Sequence, residues 1–207
     1  MGNADSDTDS GDESDDRPSL AEQRGVDSHV YQPAEDSALL AKAAIEDIGA
    51  PNRVLEVGTG SGWVAEQIAS ETDARVVGSD LNPHACRQAS ERGIEVVRAD
   101  LLAPLAAESF EAVVFNPPYL PTDPDNEWGD WMEHALSGGT DGRRLIAPFL
   151  DDVGRVLTAG GAVYLLVSSL TGYAGVVDLA KEAGFETTEV TQESYPFEVL
   201  SVLRLTR

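Results

Sequence analysis

From about residue 30 onward, short apolar runs alternate with stretches in which apolar residues recur every three to four positions, the two periods that separate strands from helices. Pro33, with acids at 35 and 36, suits a helix start. Leu39, Leu40, Ala43, Ala44 and Ile48 then follow at helical spacing, and Gly49-Ala50-Pro51 ends the element. Arg53–Val57 reads as a first strand, followed by the turn Gly58-Thr59-Gly60-Ser61-Gly62 and a helix carrying Val64, Ala65, Ile68 and Ala69. Arg75–Asp80 is a second strand, Asn82-Pro83 opens a helix that runs to Gly93, and Ile94–Leu101 is a third strand. Ala112–Phe115 is a fourth, apolar enough to be buried on both faces. After a Pro/Asp/Gly-rich loop over 120–140, Leu145, Ile146, Phe149, Leu150 and Val153 predict a helix to about Thr158. A turn at Ala159-Gly160-Gly161 leads into strand five at Ala162–Val167, then a helix over Gly172–Ala183 and closing strands at Glu186–Thr191 and Glu198–Leu205. Alternating βα units predict an α/β fold with a mostly parallel sheet. No internal repeat is visible.

The first residues break this pattern. Residues 1–18 are rich in Asp, Ser and Gly, with Met1 and Ala4 their only apolar residues, so they are expected to be a disordered acidic tail. Residues 19–207 are expected to form one domain. The chain has 37 acids against 14 bases, a net charge of −23. Seven acids and no base lie in residues 1–16, so most of the charge sits on the folded part. Such a surface repels phosphate backbones, which counts against nucleic acid as partner. Only two lysines, Lys42 and Lys181, accompany this acidity, a composition that also suits very high salt, where charges are screened within roughly 3 Å. One cysteine, Cys86, forbids an internal disulfide and suits a reducing compartment. With no membrane-length apolar run and no amino-terminal apolar region of a signal peptide, the expected location is the cytoplasm.

Candidate chemistry collects at the strand ends. Glu56, Asp80 and Asp100 each stand at or near the carboxyl end of successive strands, and Asn116-Pro117-Pro118-Tyr119 follows the fourth. Ligands of open α/β sheets bind at those ends. The glycine turn lets a ligand approach the backbone, yet Trp63 stands where a dinucleotide fingerprint needs glycine. An acid at Asp80 can accept from two ribose hydroxyls. Two prolines remove two N–H donors and leave carbonyls free, while Asn116 adds an acceptor and Tyr119 a flat aromatic face. A planar amino group presented edge-on fits such a site. His29, His84 and His134 lack metal-ligand spacing, and no metal is assigned. Trp128, Trp131 and Met132 make the 120–140 loop a candidate lid or protein-contact surface.

Glu56-Val57-Gly58-Thr59-Gly60-Ser61-Gly62, the spaced Asp80 and Asp100, and Asn116-Pro117-Pro118-Tyr119 together resemble the S-adenosylmethionine-dependent amino-group methyltransferases. Tyr31-Gln32-Pro33-Ala34-Glu35-Asp36-Ser37 is similar to the Tyr-Glu-Pro-Ala-Glu-Asp-Ser/Thr segment of the short release-factor glutamine methyltransferases of archaea and eukaryotes, with Gln32 in place of Glu. Gly138-Gly139-Thr140-Asp141-Gly142-Arg143-Arg144 resembles the helix-opening segment of the same enzymes. The resemblance runs from about Tyr31 to Arg207. It implies a Rossmann-like, doubly wound seven-stranded sheet in the order 3-2-1-4-5-7-6 with strand seven antiparallel. It implies S-adenosylmethionine as cofactor, leaving S-adenosylhomocysteine, bound by Tyr31, Ser37, Glu56, Gly58, Thr59, Gly60, Gly62, Asp80, Leu81, Asp100, Leu101 and Asn116. Catalysis falls to Asn116, Pro117 and Tyr119, with Pro118 joining them in substrate binding. The implied substrate is the glutamine amide in the Gly-Gly-Gln loop of a translation termination factor. The implied partner is a small zinc-binding activator protein paired along strand three, whose edge carries Ile94, Val96 and Val97.

The sequence leaves two other readings open. An adenine or cytosine nucleic-acid methyltransferase uses the same tetrapeptide but needs a basic stripe near residues 116–144, where only Arg143 and Arg144 are basic. A non-catalytic binding scaffold would keep the fold without needing Glu56, Asp80, Asp100 and Asn116 together.

Overall fold

The computed structural model describes residues 29–123 and 130–207. The expected tail and Trp128 lie outside the described residues. Helix α1 (Glu35–Asp47) precedes strand β1 (Arg53–Val57), and then come α2 (Trp63–Glu71), β2 (Arg75–Asp80), α3 (Pro83–Glu91), β3 (Glu95–Arg98) and β4 (Phe110–Phe115). A short helix α4 (Trp131–Leu136) leads to α5 (Ile146–Val156), β5 (Leu157–Ser168), α6 (Tyr173–Glu182), β6 (Glu186–Ser194) and β7 (Val199–Thr206). The seven strands lie in the order β3-β2-β1-β4-β5-β7-β6. Strand β7 runs antiparallel to both neighbours, and every other pairing is parallel. This is the sheet order and strand direction that the resemblance implies.

Alternation along the strands divides the core between the two sheet faces. Leu55, Val57, Val77, Val113 and Phe115 pack with Phe149, Val153 and Val176 from α5 and α6, the Phe115 and Phe149 rings meeting at 4.5 Å between centroids. Val54, Val76, Ala112 and Val114 pack instead with Leu39, Leu40 and Ile68 from α1 and α2. The sheet thus has helices on both faces, and β1 through β4 bring their carboxyl ends to one side. Among the described residues, no helix is long and apolar enough to cross a membrane.

Several elements differ from the sequence expectation, with β4 beginning at Phe110 and β6 running on to Ser194 among the smaller differences. Strand β3 stops at Arg98 rather than Leu101, because Ala99 makes one more ladder bond, N–H to the Asp80 carbonyl at 2.9 Å, before Leu101 turns the chain at φ +48°. The turn expected at 159–161 is instead a bulge within β5: Leu157 pairs with Phe110, and pairing resumes at Ala162 opposite Ala112. Residues 158–161 therefore stand opposite Glu111 alone, and α5 ends at Val156 rather than Thr158. The loop over 120–140 also contains α4, whose N-cap Asp130 accepts from the Glu133 N–H at 2.7 Å. Gly138–Arg144 forms a tight turn and α5 begins only at Ile146, since Gly138 ties back to the Leu120 carbonyl at 2.9 Å and Arg144 closes onto Gly138 at 2.8 Å.

Candidate active site

At the carboxyl ends of β1 to β4 lies a cavity of about 600 Å³, within the range of small-molecule sites. Every residue the sequence assigns to the site lines it except Gly62. Gly62 stands back from the cavity. It caps α2 at φ +80°, and a Cβ there would stand 2.7 Å from the backbone and side chain of Ala89 on α3. Helix packing alone therefore requires glycine at 62.

Glu56 lies at the bottom of the turn, 5% exposed. Its Oε2 accepts from the Thr59 hydroxyl and, at 3.0 Å, from the Ala65 N–H at the start of α2. Burial raises its pKa to about 8, against the pull of those two hydrogen bonds. Glu56 therefore braces the glycine turn from below. A carboxyl whose folded pKa lies above its unfolded value stabilises the fold below the unfolded value, 4.5, and that contribution is lost as pH rises through about 8. Denaturation at pH 5, 6.5 and 8 is expected to show stability falling by on the order of 3 kcal/mol, with the fall flattened in Glu56→Gln.

Asp80 sits beside it, at the end of β2. Its Oδ2 accepts from the Gly60 N–H at 2.9 Å and its Oδ1 from the Asn82 N–H at 2.8 Å. Burial keeps its pKa above the usual carboxylate range despite these donors. Each oxygen retains acceptor capacity that a pair of ribose hydroxyls can use. Leu81 is exposed beside it, and Asp100 and Leu101 close the same side of the cavity from the end of β3.

Asn116 directly follows β4. Its Nδ2 donates to Asp36 Oδ2 at 3.1 Å, while its Oδ1 is buried with no hydrogen-bond partner among the described residues. A buried carbonyl oxygen left unpaired costs about 1–3 kcal/mol, and in a cavity wall it marks the place of a missing donor. Tyr119, from the same tetrapeptide, and Tyr31 both lie close to Asp36. Burial, then the Asp36 charge, pushes both phenols well above their ordinary pKa, so both stay protonated. Ser37 is also buried, its hydroxyl donating to Asp36 Oδ1 at 3.2 Å.

Several lining residues carry no assignment from the sequence. Asp36, 4% exposed, stands out there only as an acid suited to a helix start. Its junction with Asn116, eighty positions away, has no sequence signal beyond the similarity of the 31–37 segment. Trp131, already singled out in the loop, His134 and Arg144 line the cavity from the α4 region. Glu198 reaches it from the start of β7, accepting from the Ser168 hydroxyl at 2.6 Å. Nothing in the local sequence marks His134, Arg144 or Glu198 for this site. Among the described residues, no three His, Cys, Asp or Glu side chains group as a metal site.

The donor set suits a sulfonium nucleoside: a glycine turn without a phosphate fingerprint, acids at the ends of β2 and β3, and a buried oxygen awaiting a donor. Comparison with known proteins agrees. Residues 54–137 match a methyltransferase domain model. A putative protein N5-glutamine methyltransferase of Methanocaldococcus jannaschii is 35% identical over 185 residues, covering 86% of this chain and 92% of that one. Methyltransferase HEMK2 of Homo sapiens is 33% identical over 198 residues, covering 89% of this chain and 92% of its own. Among solved structures, the E. cuniculi Mtq2-Trm112 complex, described as responsible for methylating the eRF1 translation termination factor, superposes with a TM-score of 0.72 at 31% identity, over 86% of this chain and 99% of that one. The chain belongs to the protein N5-glutamine methyltransferase family of S-adenosylmethionine-dependent enzymes.

Proposed function

We propose that this protein methylates the side-chain amide nitrogen of the glutamine in the Gly-Gly-Gln loop of a translation termination factor. The observation that carries the reading is Asn116 Oδ1, buried and unpartnered in the cavity wall beside two prolines. Tyr31, Ser37, Asp80, Leu81, Asp100 and Leu101, with the Gly58–Gly60 turn, would hold S-adenosylmethionine. When bound, the cofactor supplies an electrophilic methyl group on sulfur.

The chain's own residues prepare the acceptor. An amide nitrogen is a poor nucleophile because its lone pair is delocalised into the carbonyl. Asn116 Oδ1 and the Pro117 carbonyl accept its two hydrogens, and Tyr119 packs against its flat face. So held, the nitrogen pyramidalises and exposes its lone pair in one direction. No strong base is needed first, because the nitrogen sheds its proton readily once alkylated.

A macromolecular acceptor is supported by the surface next to the cavity. A second hollow of about 300 Å³ shares Tyr31, Asp36, Tyr119 and Glu198 with the first, and its rim carries Tyr195, Pro196 and Phe197 from the β6–β7 hairpin. Phe197 is 94% exposed. A polypeptide whose glutamine reaches Asn116 would lie along this hollow, with Phe197 as an apolar contact. Phe197→Ser is expected to raise KM for the termination factor by roughly tenfold with kcat nearly unchanged, as loss of uniform binding does. A KM unchanged within error would remove the hairpin from recognition.

The Trm112 protein of the E. cuniculi complex suggests the second partner, a small zinc-binding activator. Strand β3 is one edge of the sheet, four residues long, with Val96 and Val97 half-buried. Such an edge gains from being covered. The nucleic-acid reading receives no comparable support: Arg143 pairs with Asp141 at 3.2 Å, and Arg144 donates to the Ser137 carbonyl at 3.0 Å. The test incubates the chain, with and without the activator and in molar KCl to screen its charge of −23, with labelled S-adenosylmethionine. The acceptors are a termination factor, its glutamine-substituted form, and RNA. Label in the factor alone is expected. Equal label in the substituted factor, or label in RNA only, would overturn the reading.

A further inference from the structure

The amide of Asn116 has two nearly isosteric ends, and only one of them serves the chemistry. With Oδ1 toward the acceptor, the side chain takes a hydrogen from the substrate amide. With Nδ2 there, it would confront an N–H with another N–H. A lone asparagine in a polar cavity can adopt either orientation.

We infer that Asp36 is a positioning residue that fixes this choice, and the inference rests on the reading of Asn116 given above. The Asp36 carboxylate is buried and surrounded by donors. Its Oδ1 accepts from the Ser37 N–H at 2.6 Å and the Ser37 hydroxyl at 3.2 Å, and its Oδ2 from the Tyr31 hydroxyl at 3.2 Å and Asn116 Nδ2 at 3.1 Å. With every neighbour donating, the carboxylate offers Asn116 an acceptor and nothing else. The Nδ2 end is drawn to Asp36, and the oxygen is left for the acceptor in the cavity. A flipped amide would place Oδ1 against the carboxylate, two acceptors at hydrogen-bond distance in a low-dielectric site. Helix α1 thus supplies from its first turn the electrostatic contact that sets the polarity of a catalytic side chain following β4.

The structure also specifies a swap that separates orientation from mere support. In Asp36→Asn the side-chain oxygen stays with the Ser37 N–H and hydroxyl, so the NH2 of the new amide faces Asn116 and draws its Oδ1 away from the acceptor. Turnover is expected to fall about a hundredfold, with the cofactor dissociation constant within about threefold of wild type. In Asn116→Asp alone, two carboxylates face each other. When Asp36→Asn and Asn116→Asp are combined, the amide now at position 36 donates to one oxygen of the carboxylate now at position 116. The other oxygen faces the acceptor, since a carboxylate has no wrong end. The double variant is expected to be at least about tenfold faster in kcat than either single variant, with KM little changed.

Wild-type enzyme runs beside them on the termination factor, so that a failure of the functional reading, absence of glutamine methylation by the wild type, is distinct from a failure of the inference. An Asp36→Asn enzyme as fast as wild type would overturn it. So would one that loses cofactor binding, or a double variant no faster than the singles; either would reduce Asp36 to a structural contact.

Discussion

Asn116→Ala is expected to lower kcat by on the order of a thousandfold while leaving the affinity for S-adenosylmethionine within a few-fold. The asymmetry follows from where its atoms go. Its Oδ1 has no partner among the described residues, so removing it disturbs no internal bond and deletes one of the two acceptors proposed to hold the substrate nitrogen. Its Nδ2 serves Asp36, which keeps Tyr31 and Ser37 as donors after the truncation. The part of the cavity proposed to take the ribose is organised separately, by Asp80 with the N–H groups of Gly60 and Asn82. Calorimetry with the cofactor and steady-state turnover on the termination factor give the two numbers. Equal losses in both would make Asn116 a structural residue and remove the proposed chemistry.

The second large effect is on stability. Gly62→Ala is expected to destabilise the fold by about 3–4 kcal/mol. Two costs add: a left-handed conformation at φ +80°, worth about 1 kcal/mol for a residue with a side chain, and a Cβ driven to within 2.7 Å of the Ala89 backbone. The far atoms are backbone and a rigid methyl, so α2 and α3 must move apart. Gly93 supplies the control, with a similar φ of +86° and nothing within 4 Å of an added Cβ. Gly93→Ala should cost only the conformational part, about 1 kcal/mol. Denaturant midpoints of the two variants measure the difference. Equal midpoints would show that the α2–α3 contact yields without cost.

The packing role of Gly62 was not legible in the sequence, for a physical reason. The spacing of three glycines is visible in the sequence, but spacing does not say whether a missing side chain makes room for a ligand or for another helix. That depends on Ala89, 27 positions later and on a different element. The strands were more legible, because a parallel sheet buried on both faces demands near-continuous apolar runs, and Val54–Val57 and Ala112–Phe115 supply them. The acids at their ends were legible for the same reason, standing out where an apolar run stops. The order in which strands lie side by side came from the family resemblance, since the pattern of apolar residues carries no neighbour information. The bulge at 158–161 was hidden because a glycine pair reads as a turn, and only pairing with β4 shows that the strand runs through it. Asp36 was present in the sequence as a helix-start acid. Its tie to Asn116 is a tertiary contact between α1 and the end of β4, formed only when the first helix packs over the sheet.

The central claim is that a planar amide is held by two oxygens at the tip of β4, beside a donor lodged over the glycine turn. A crystal structure of the chain with S-adenosylhomocysteine and a Gly-Gly-Gln peptide tests it most directly. The account predicts the ribose on Asp80 and the glutamine nitrogen within hydrogen-bond distance of both Asn116 Oδ1 and the Pro117 carbonyl. A nucleoside bound elsewhere, or an Asn116 with its oxygen turned toward Asp36 and away from the peptide, would contradict it.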